Sequence, residues 1–164
     1  MKQLDVKCPT IIKTNYEIVK VVDGDGIIAK NLITNKVEEI RFYGIDAPEL
    51  TPCKKLKEDE RETHLSGHFL IELAHQSYEF LRTKAKIGKR ITLIQEVGNE
   101  KDPYGRTLAY VVLPNGNTLN EIMVKNGFAK AYDKLYCTEL PKYQELNLKA
   151  KTKKKGLYLQ VDRF

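Results

Sequence analysis

The feature that most constrains the fold is a pair of β-branched runs joined by a turn of aspartate and glycine. From Tyr16 the sequence reads YEIVKVV, residues 23–26 are DGDG, and IIAK follows. β-Branched residues favour strands and Asp-Gly pairs favour tight turns, so the pattern predicts two strands around a turn. A third strand is predicted in VEEIRFYGI, where Ile40 and Phe42 share one face and Arg41 lies on the other.

Two more strands and three helices are predicted along the rest of the chain. RITLIQE (90–96) and RTLAYVVL (106–113) bracket a polar turn, which predicts a hairpin. Helices are predicted from helical spacing, a capping box and glycine stops over residues 65–86, from Thr118 to Gly127, and from about Thr138 to Gly156. Segment 46–62 carries two prolines and many charges, and we expect it to be a functional loop.

This order of elements predicts an α+β fold. Strand-helix-strand alternations are few, so a parallel α/β sheet is disfavoured. Five short strands can close into the Greek-key barrel of the oligonucleotide-binding (OB) type, here with three α-helices outside it. The loops and faces of such barrels commonly hold nucleic acids or sugars.

Length, charge and cysteine count narrow the function classes. A chain of 164 residues predicts one domain, and no apolar run reaches the roughly 20 residues that span a bilayer. Without a signal-peptide pattern the protein is cytoplasmic at face value, or secreted or periplasmic if a signal was removed. The net charge of +6 favours polyanionic partners. Three widely spaced cysteines suit neither a disulfide scaffold nor a zinc site.

Carboxylates and arginines occur together near the predicted strand ends. Asp25 follows the first strand, Asp46 follows the third, and Glu49 comes three residues later. Carboxylates bind hard divalent cations, while the planar guanidinium groups of Arg41 and Arg106 can each hold two phosphate oxygens. Taken singly, each feature has an ordinary alternative, a hairpin turn or a surface arginine; their combination favours metal-assisted phosphoryl chemistry.

Four segments carry a family resemblance. They are VVDGDG (21–26), IRFYGIDAPEL (40–50), DPYGRTLAYV (102–111) and LNEIMVKNGFAKAY (119–132). In this order, from about Tyr16 to Tyr158, the chain resembles thermonucleases of the staphylococcal nuclease family. The resemblance implies an OB-fold domain over residues 15–158, an N-terminal arm over 1–14 and a C-terminal tail over 159–164.

The resemblance also implies an activity and a cofactor. Family members are Ca²⁺-dependent endonucleases that act on DNA and RNA and leave 3′-phosphate products. The implied ligands of one Ca²⁺ ion are the carboxylates of Asp25 and Asp46 and the backbone carbonyl of Ala47. Mg²⁺ or another divalent ion is the alternative. Gly26 stands where the family often has threonine, which leaves the metal preference open.

The remaining roles come from the same resemblance. Arg41 and Arg106 bind the phosphate, and Glu49 activates water as a general base or by positioning it. The resemblance also implies nucleic-acid contacts from Asp102, Tyr104 and Tyr132. The lysines of the 46–62 loop, Lys54 and Lys55 among them, stand beside the proposed site and suit a flap over the nucleic acid; a solvated loop is the alternative. Pro103 replaces a phosphate-binding lysine of the best-known relatives.

Single- and double-stranded substrates, a monomer and no membrane association are expected. The competing hypothesis is a catalytically weak OB-fold module that binds nucleic acid or protein. Such modules typically lack the arginines or the acidic ligands, whereas this chain has all five charged residues of the site.

Overall fold

A closed five-stranded barrel forms the centre of the computed structural model, which describes residues 7–164. The barrel strands are β1 (Thr10–Asp23), β2 (Gly26–Asn31), β3 (Val37–Phe42), β5 (Arg90–Glu96) and β6 (Thr107–Val112). Two short strands, β4 (Ile45–Asp46) and β7 (Lys130–Ala131), pair outside it. The helices are α1 (Lys54–Thr63), α2 (Gly67–Lys84), α3 (Leu119–Lys125) and α4 (Leu140–Thr152), followed by a 3₁₀ turn at Gly156–Leu159.

The strand order around the barrel is β1-β2-β3-β6-β5, which is the OB topology. All neighbours are antiparallel except β3 and β6, whose parallel contact closes the barrel through pairs such as Arg41 with Leu108. The predicted first hairpin is confirmed, since Asp23 pairs with Gly26 across the turn. β1 begins at Thr10, earlier than the predicted Tyr16; residues 1–6 of the predicted arm lie outside the described residues.

The barrel interior is apolar, as the alternation of the strands predicts. Side chains such as Ile18, Ile27, Ile40 and Leu93 are at most 1% exposed, and together with Phe42 they belong to one core. Removing these surfaces from water is the main force that closes the barrel. The β-branched residues that predicted the strands are therefore the residues that fill it.

Residues 7–164 contain four α-helices, whereas three were predicted. The additional helix is α1, within the segment predicted to be a loop. Cys53 caps it, and Leu56, Asp59 and Thr63 are buried along one face at helical spacing. The prolines that suggested a loop precede the helix, where they do not break its hydrogen bonds.

The other helices confirm the sequence predictions. Thr118 accepts a hydrogen bond from the N–H of Glu121, as the capping box requires, and α3 follows it. α4 begins at Leu140 with Pro141 in its first turn. No helix within residues 7–164 is long and apolar enough to cross a membrane.

Candidate active site

The turn after β1 brings Asp25 to one end of the barrel. Its neighbour Gly24 packs so closely that a β-carbon there would lie 2.6 Å from the β-carbon of Ala47 and 2.8 Å from that of Ser77 on α2. Asp25 Oδ2 then accepts a hydrogen bond of 2.8 Å from the N–H of Ala47. The small residues at positions 24 and 47 thus allow the two predicted metal-binding segments to touch.

Arg41 links the two aspartates. Its Nη2 lies 3.2 Å from Asp25 Oδ2 and 3.2 Å from Asp46 Oδ1. Its Nη1 donates to the backbone oxygens of Asp25 (3.4 Å) and Phe42 (3.3 Å). Because Asp25 and Asp46 contact the same nitrogen, their carboxylates converge on one point, as the sequence predicted. Arg41 itself is 9% exposed and directs its terminal nitrogens at protein oxygens.

Asp46 is placed by the small sheet of β4 and β7. Asp46 pairs with Lys130 in that sheet, and Lys130 Nζ lies 4.0 Å from Asp46 Oδ2. The adjacent Ala131 N–H donates to Asn147 Oδ1 of α4, which fixes β7 against that helix. Asp46 is 2% exposed, so its carboxylate is held away from bulk water.

Glu49 and helix α1 add two further carboxylates, those of Glu49 and Asp59, beside Asp46. Lys55 Nζ lies 3.0 Å from Asp46 Oδ2, 3.2 Å from Glu49 Oε1 and 3.2 Å from Asp59 Oδ2. Lys55 was predicted to contact nucleic acid from a loop, but it lies on a helix and joins three carboxylates. The sequence analysis did not identify Asp59; its i,i+4 spacing from Lys55 is the signal that could have found it.

The second arginine, Arg106, lies just before β6 and is held by Asp102. Arg106 Nε lies 2.7 Å from Asp102 Oδ2, and Asp102 Oδ1 accepts the N–H groups of Tyr104 (2.9 Å) and Arg106 (2.8 Å). Asp102 therefore orders the turn and orients the guanidinium. The side chain of Arg106 is 32% exposed, so it is more accessible than that of Arg41. The ring of Tyr104 is 86% exposed, beneath the Arg106 guanidinium at 5.7 Å.

These groups surround one cavity of about 360 Å³. Its lining contains most of the predicted site residues, namely Asp25, Arg41, Asp46, Glu49, Lys54, Lys55, Asp102, Tyr104, Arg106 and Tyr132. Tyr132 follows β7, and its ring lies 5.9 Å from Arg41 Cζ. Ala47, the remaining predicted residue, is buried beside the cavity and contacts Asp25 through its N–H.

Burial and neighbouring charges set the protonation of the carboxylates. Burial disfavours the charge on Asp25, but the Arg41 charge and hydrogen bonds outweigh it and lower the pKa of this carboxyl. Burial raises the pKa of Asp46 and of Glu49, although Lys55 acts against both shifts. Burial, with the charge of Asp25 beside it, also raises the pKa of Asp23 to about 9. The pKa values of Asp23 and Asp25, which are two residues apart, are thus shifted in opposite directions.

The donor set fits a hard divalent cation in its chemistry. Oxygen ligands are what Ca²⁺ and Mg²⁺ prefer, and two carboxylates converge here. The geometry of the side chains fits less completely. Within residues 7–164, no three or more His, Cys, Asp or Glu side chains are close enough together to hold a metal ion. Arg41 and Lys55 stand between the carboxylates instead.

Gly26 and Pro103, which depart from the family pattern, both lie at the site. A β-carbon on Gly26 would come within 3.3 Å of Asp23 Oδ1 and of the Ile40 oxygen, so the turn here is tighter than threonine would easily accept. Pro103 lines the cavity beside Tyr104, without an ammonium group. Neither change moves the five charged residues out of the site.

Fold and site together define the class: an OB-barrel protein with converging carboxylates and two arginines around one cavity at the barrel end. Residues 39–160 match the family model of the staphylococcal nuclease homologues. The chain therefore belongs to the staphylococcal nuclease family.

Three relatives illustrate the range of the family. The chain is 34% identical over 127 residues to "Endonuclease YhcR" of Bacillus subtilis, covering 76% of this chain and 10% of that protein. It is 31% identical over 137 residues to the "Thermonuclease" of Staphylococcus hyicus, covering 79% of this chain and 64% of that protein. An "Uncharacterized endonuclease" of Escherichia coli O157:H7 is 30% identical to this chain over 145 residues, covering 88% of this chain and 77% of that protein. The chain thus spans less than two thirds of the first two relatives.

Proposed function

We propose that this protein is a divalent-cation-dependent nuclease that hydrolyses phosphodiester bonds of DNA and RNA and leaves 3′-phosphate ends. The observation that carries the proposal is the single cavity that holds Asp25, Asp46, Glu49, Arg41 and Arg106 together. Carboxylates alone would suit many cation sites, and arginines alone would suit simple phosphate binding. Both kinds of group in one cavity suit a reaction in which a phosphate gains negative charge.

The carboxylates of Asp25 and Asp46, with the carbonyl of Ala47, are the proposed cation ligands, and Ca²⁺ is the proposed ion. When bound, such a cation supplies positive charge that offsets the charge of the phosphate. The convergence of Asp25 and Asp46 on one Arg41 nitrogen supports this assignment. Mg²⁺ is the alternative ion.

Glu49 is the proposed acceptor of the proton from the attacking water. Its carboxylate is the most accessible of the three, with 29% of the side chain exposed, compared with 3% for Asp46 and 6% for Asp25. Burial raises the pKa of Glu49, which brings it closer to the value that suits a general base near neutral pH. In the structure its Oε1 lies 3.2 Å from the ammonium group of Lys55, which competes with a water molecule for this oxygen.

The two arginines have different proposed tasks. Arg106 has one guanidinium nitrogen fixed by Asp102 and is partly exposed to the cavity, so it is oriented to bind a phosphate oxygen. The terminal nitrogens of Arg41 contact protein oxygens, so it would exchange at least one of these contacts for a phosphate oxygen. Arg41 also keeps the two aspartates together before the substrate binds.

The nucleic acid itself would extend beyond the reacting phosphate. Tyr104 and Tyr132 offer aromatic faces, and Lys54 is exposed at the cavity rim. Aromatic rings stack on every base, and lysine contacts only the charged backbone. The proposed substrates are therefore DNA and RNA, both single- and double-stranded. A monomer is the proposed oligomeric state.

The test is cleavage of plasmid and single-stranded DNA and of RNA with Ca²⁺, with Mg²⁺ and with chelator. Wild-type protein should cut with Ca²⁺ and not with chelator, and 5′-labelled products should shift on removal of a 3′-phosphate. Glu49→Gln should lower the rate by about 10²-fold or more. Glu79→Gln on α2, an exposed glutamate paired with Arg82, is the matched control and should cut normally. DNA binding without cutting under every condition would favour the binding-module hypothesis instead.

A further inference from the structure

The ammonium group of Lys55 lies where the proposed cation site and the proposed water-activating residue meet. Its Nζ contacts one oxygen each of Asp46, Glu49 and Asp59 at 3.0–3.2 Å. Two of these carboxylates belong to the proposed machinery, and the third belongs to α1. In the described residues Lys55 thus supplies the positive charge between Asp46 and Glu49.

Lys55 is held there by its helix. The buried Leu56 fixes α1 against the second core cluster, formed with α2 residues such as Leu70. Asp59 lies one turn further, on the same face of the helix as Lys55. Lys55 can therefore change partners by turning its flexible side chain, without moving the backbone of α1.

The position of Lys55 in the protein surface agrees with such a movement. Two cavities of about 360 Å³ each, one at the active site and one between α1, β7 and α4, both have Asp46 and Lys55 in their lining. The second cavity also contains Asp59. Lys55 thus lines both cavities, with Glu49 in the lining of the active-site cavity, Asp59 in that of the second cavity and Asp46 in both.

We propose that Lys55 and the divalent cation occupy the Asp46 carboxylate in alternation, and that Asp59 retains Lys55, away from Glu49, when the cation enters. This inference rests on the proposed function, because it takes the cation site from there. Lys55 is then a positioning residue that weakens the binding of free metal ions and holds Glu49 inactive until a cation is bound. Two cations cannot share the same oxygens without repelling each other, whereas the pair of Lys55 and Asp59 is neutral.

The test is calorimetric titration of the 164-residue chain with CaCl₂, without nucleic acid. Lys55→Met removes the competing charge and keeps the length of the side chain, so the dissociation constant for Ca²⁺ should fall by about tenfold or more. Lys57→Met is the matched control: an exposed lysine on the same helix, it lines neither cavity and should change the constant by less than about twofold.

Asp59→Asn gives a second, independent variant. Without the Asp59 carboxylate, Lys55 has only Asp46 and Glu49 as partners. The Ca²⁺ dissociation constant should then rise by about threefold or more. In the Lys55→Met background the same substitution should have an effect of less than about twofold, because no lysine remains to be retained. Equal effects of Asp59→Asn in both backgrounds would mean that Asp59 acts only through its own charge, and would overturn the alternation.

Circular dichroism and thermal melting verify that each variant is folded before titration. An unchanged Ca²⁺ affinity in folded Lys55→Met overturns the inference, and plasmid cleavage by the wild type at the same time leaves the proposed function intact. Tighter Ca²⁺ binding by Lys55→Met, in a protein that cuts no nucleic acid, supports the alternation and contradicts the nuclease. The two proposals therefore fail separately.

Discussion

A β-carbon added to Gly24 would lie 2.6 Å from the β-carbon of Ala47, closer than two non-bonded carbon atoms can approach. The turn that carries Asp25 can reach the end of β4 only because residue 24 has no side chain and residue 47 has a small one. This contact fixes the hydrogen bond between Asp25 and the Ala47 N–H. The spacing of the predicted cation ligands thus depends on the packing of two residues that have no polar side chain.

Gly24→Ala is therefore expected to lower the free energy of unfolding by about 1–3 kcal/mol, because overpacking forces the turn away from Ala47 and Ser77. Cleavage should fall with it, since Asp25 moves with the turn. Urea unfolding measures the stability and plasmid cleavage the activity. Gly24→Ala combined with Ala47→Gly removes one of the two clashes and should recover part of the stability; no recovery would contradict the steric explanation.

Asp102 is expected to act through Arg106. Asp102→Asn keeps an oxygen for the two backbone N–H groups but loses the charged partner of Arg106 Nε, so cleavage should fall about tenfold. Arg106→Ala should lower the cleavage rate by about 10²–10³-fold. If Asp102 serves to orient the guanidinium, the double variant should be no slower than Arg106→Ala, as steady-state kinetics can show. A multiplicative loss would assign Asp102 a separate role.

Tyr132 is expected to bind single-stranded nucleic acid by stacking. Its ring lines the cavity beside Arg41, and loss of one base-stacking contact costs about 1–3 kcal/mol. Tyr132→Ala should therefore weaken the binding of a short single-stranded DNA, measured by fluorescence anisotropy at fixed salt. Tyr136→Ala is the matched control, because Tyr136 is 65% exposed and does not line the cavity. Equal losses in both variants would argue against a specific stacking position.

Alkaline solution is expected to destabilise the fold through its buried tyrosines. Burial raises the pKa of Tyr43, Tyr110 and Tyr143 above the ordinary value of 10.0. Between that value and the higher one of the folded protein, the unfolded chain releases protons that the folded protein keeps. Stability is thus fully present below pH 10 and falls as pH rises further, by up to about 1.4 kcal/mol per unit for each such tyrosine.

Urea unfolding at pH 8, 9.5, 10.5 and 11 measures this effect. Tyr143→Phe keeps a fully buried ring and removes one of the titrating groups, so its stability should depend less on pH above 10 than that of the wild type. A wild-type stability that stays level from pH 8 to 11 would contradict the assignment.

Most of the fold could be read from the sequence because local patterns and tertiary packing agree. The β-branched runs around residues 23–26 form the first hairpin, Thr118 caps α3, and the five strands close as an OB barrel. α1 was missed because its single buried leucine and its many charges resemble a solvated loop. Its helical face becomes evident only where Leu56 meets the second core cluster.

The sequence by itself determined the chemical groups of the candidate site: the types of residue and their places at strand ends follow from the strand pattern. The tertiary structure alone decided which groups touch. Arg41 joins Asp25 and Asp46 because it pairs with Gly26 across β2 and β3 and because the Ala47 N–H after β4 bonds to Asp25. Lys55 reaches Glu49 and Asp59 because α1 is a helix packed against α2. Residue order fixes local conformation, but contacts between distant segments depend on how closely the surfaces between them can pack.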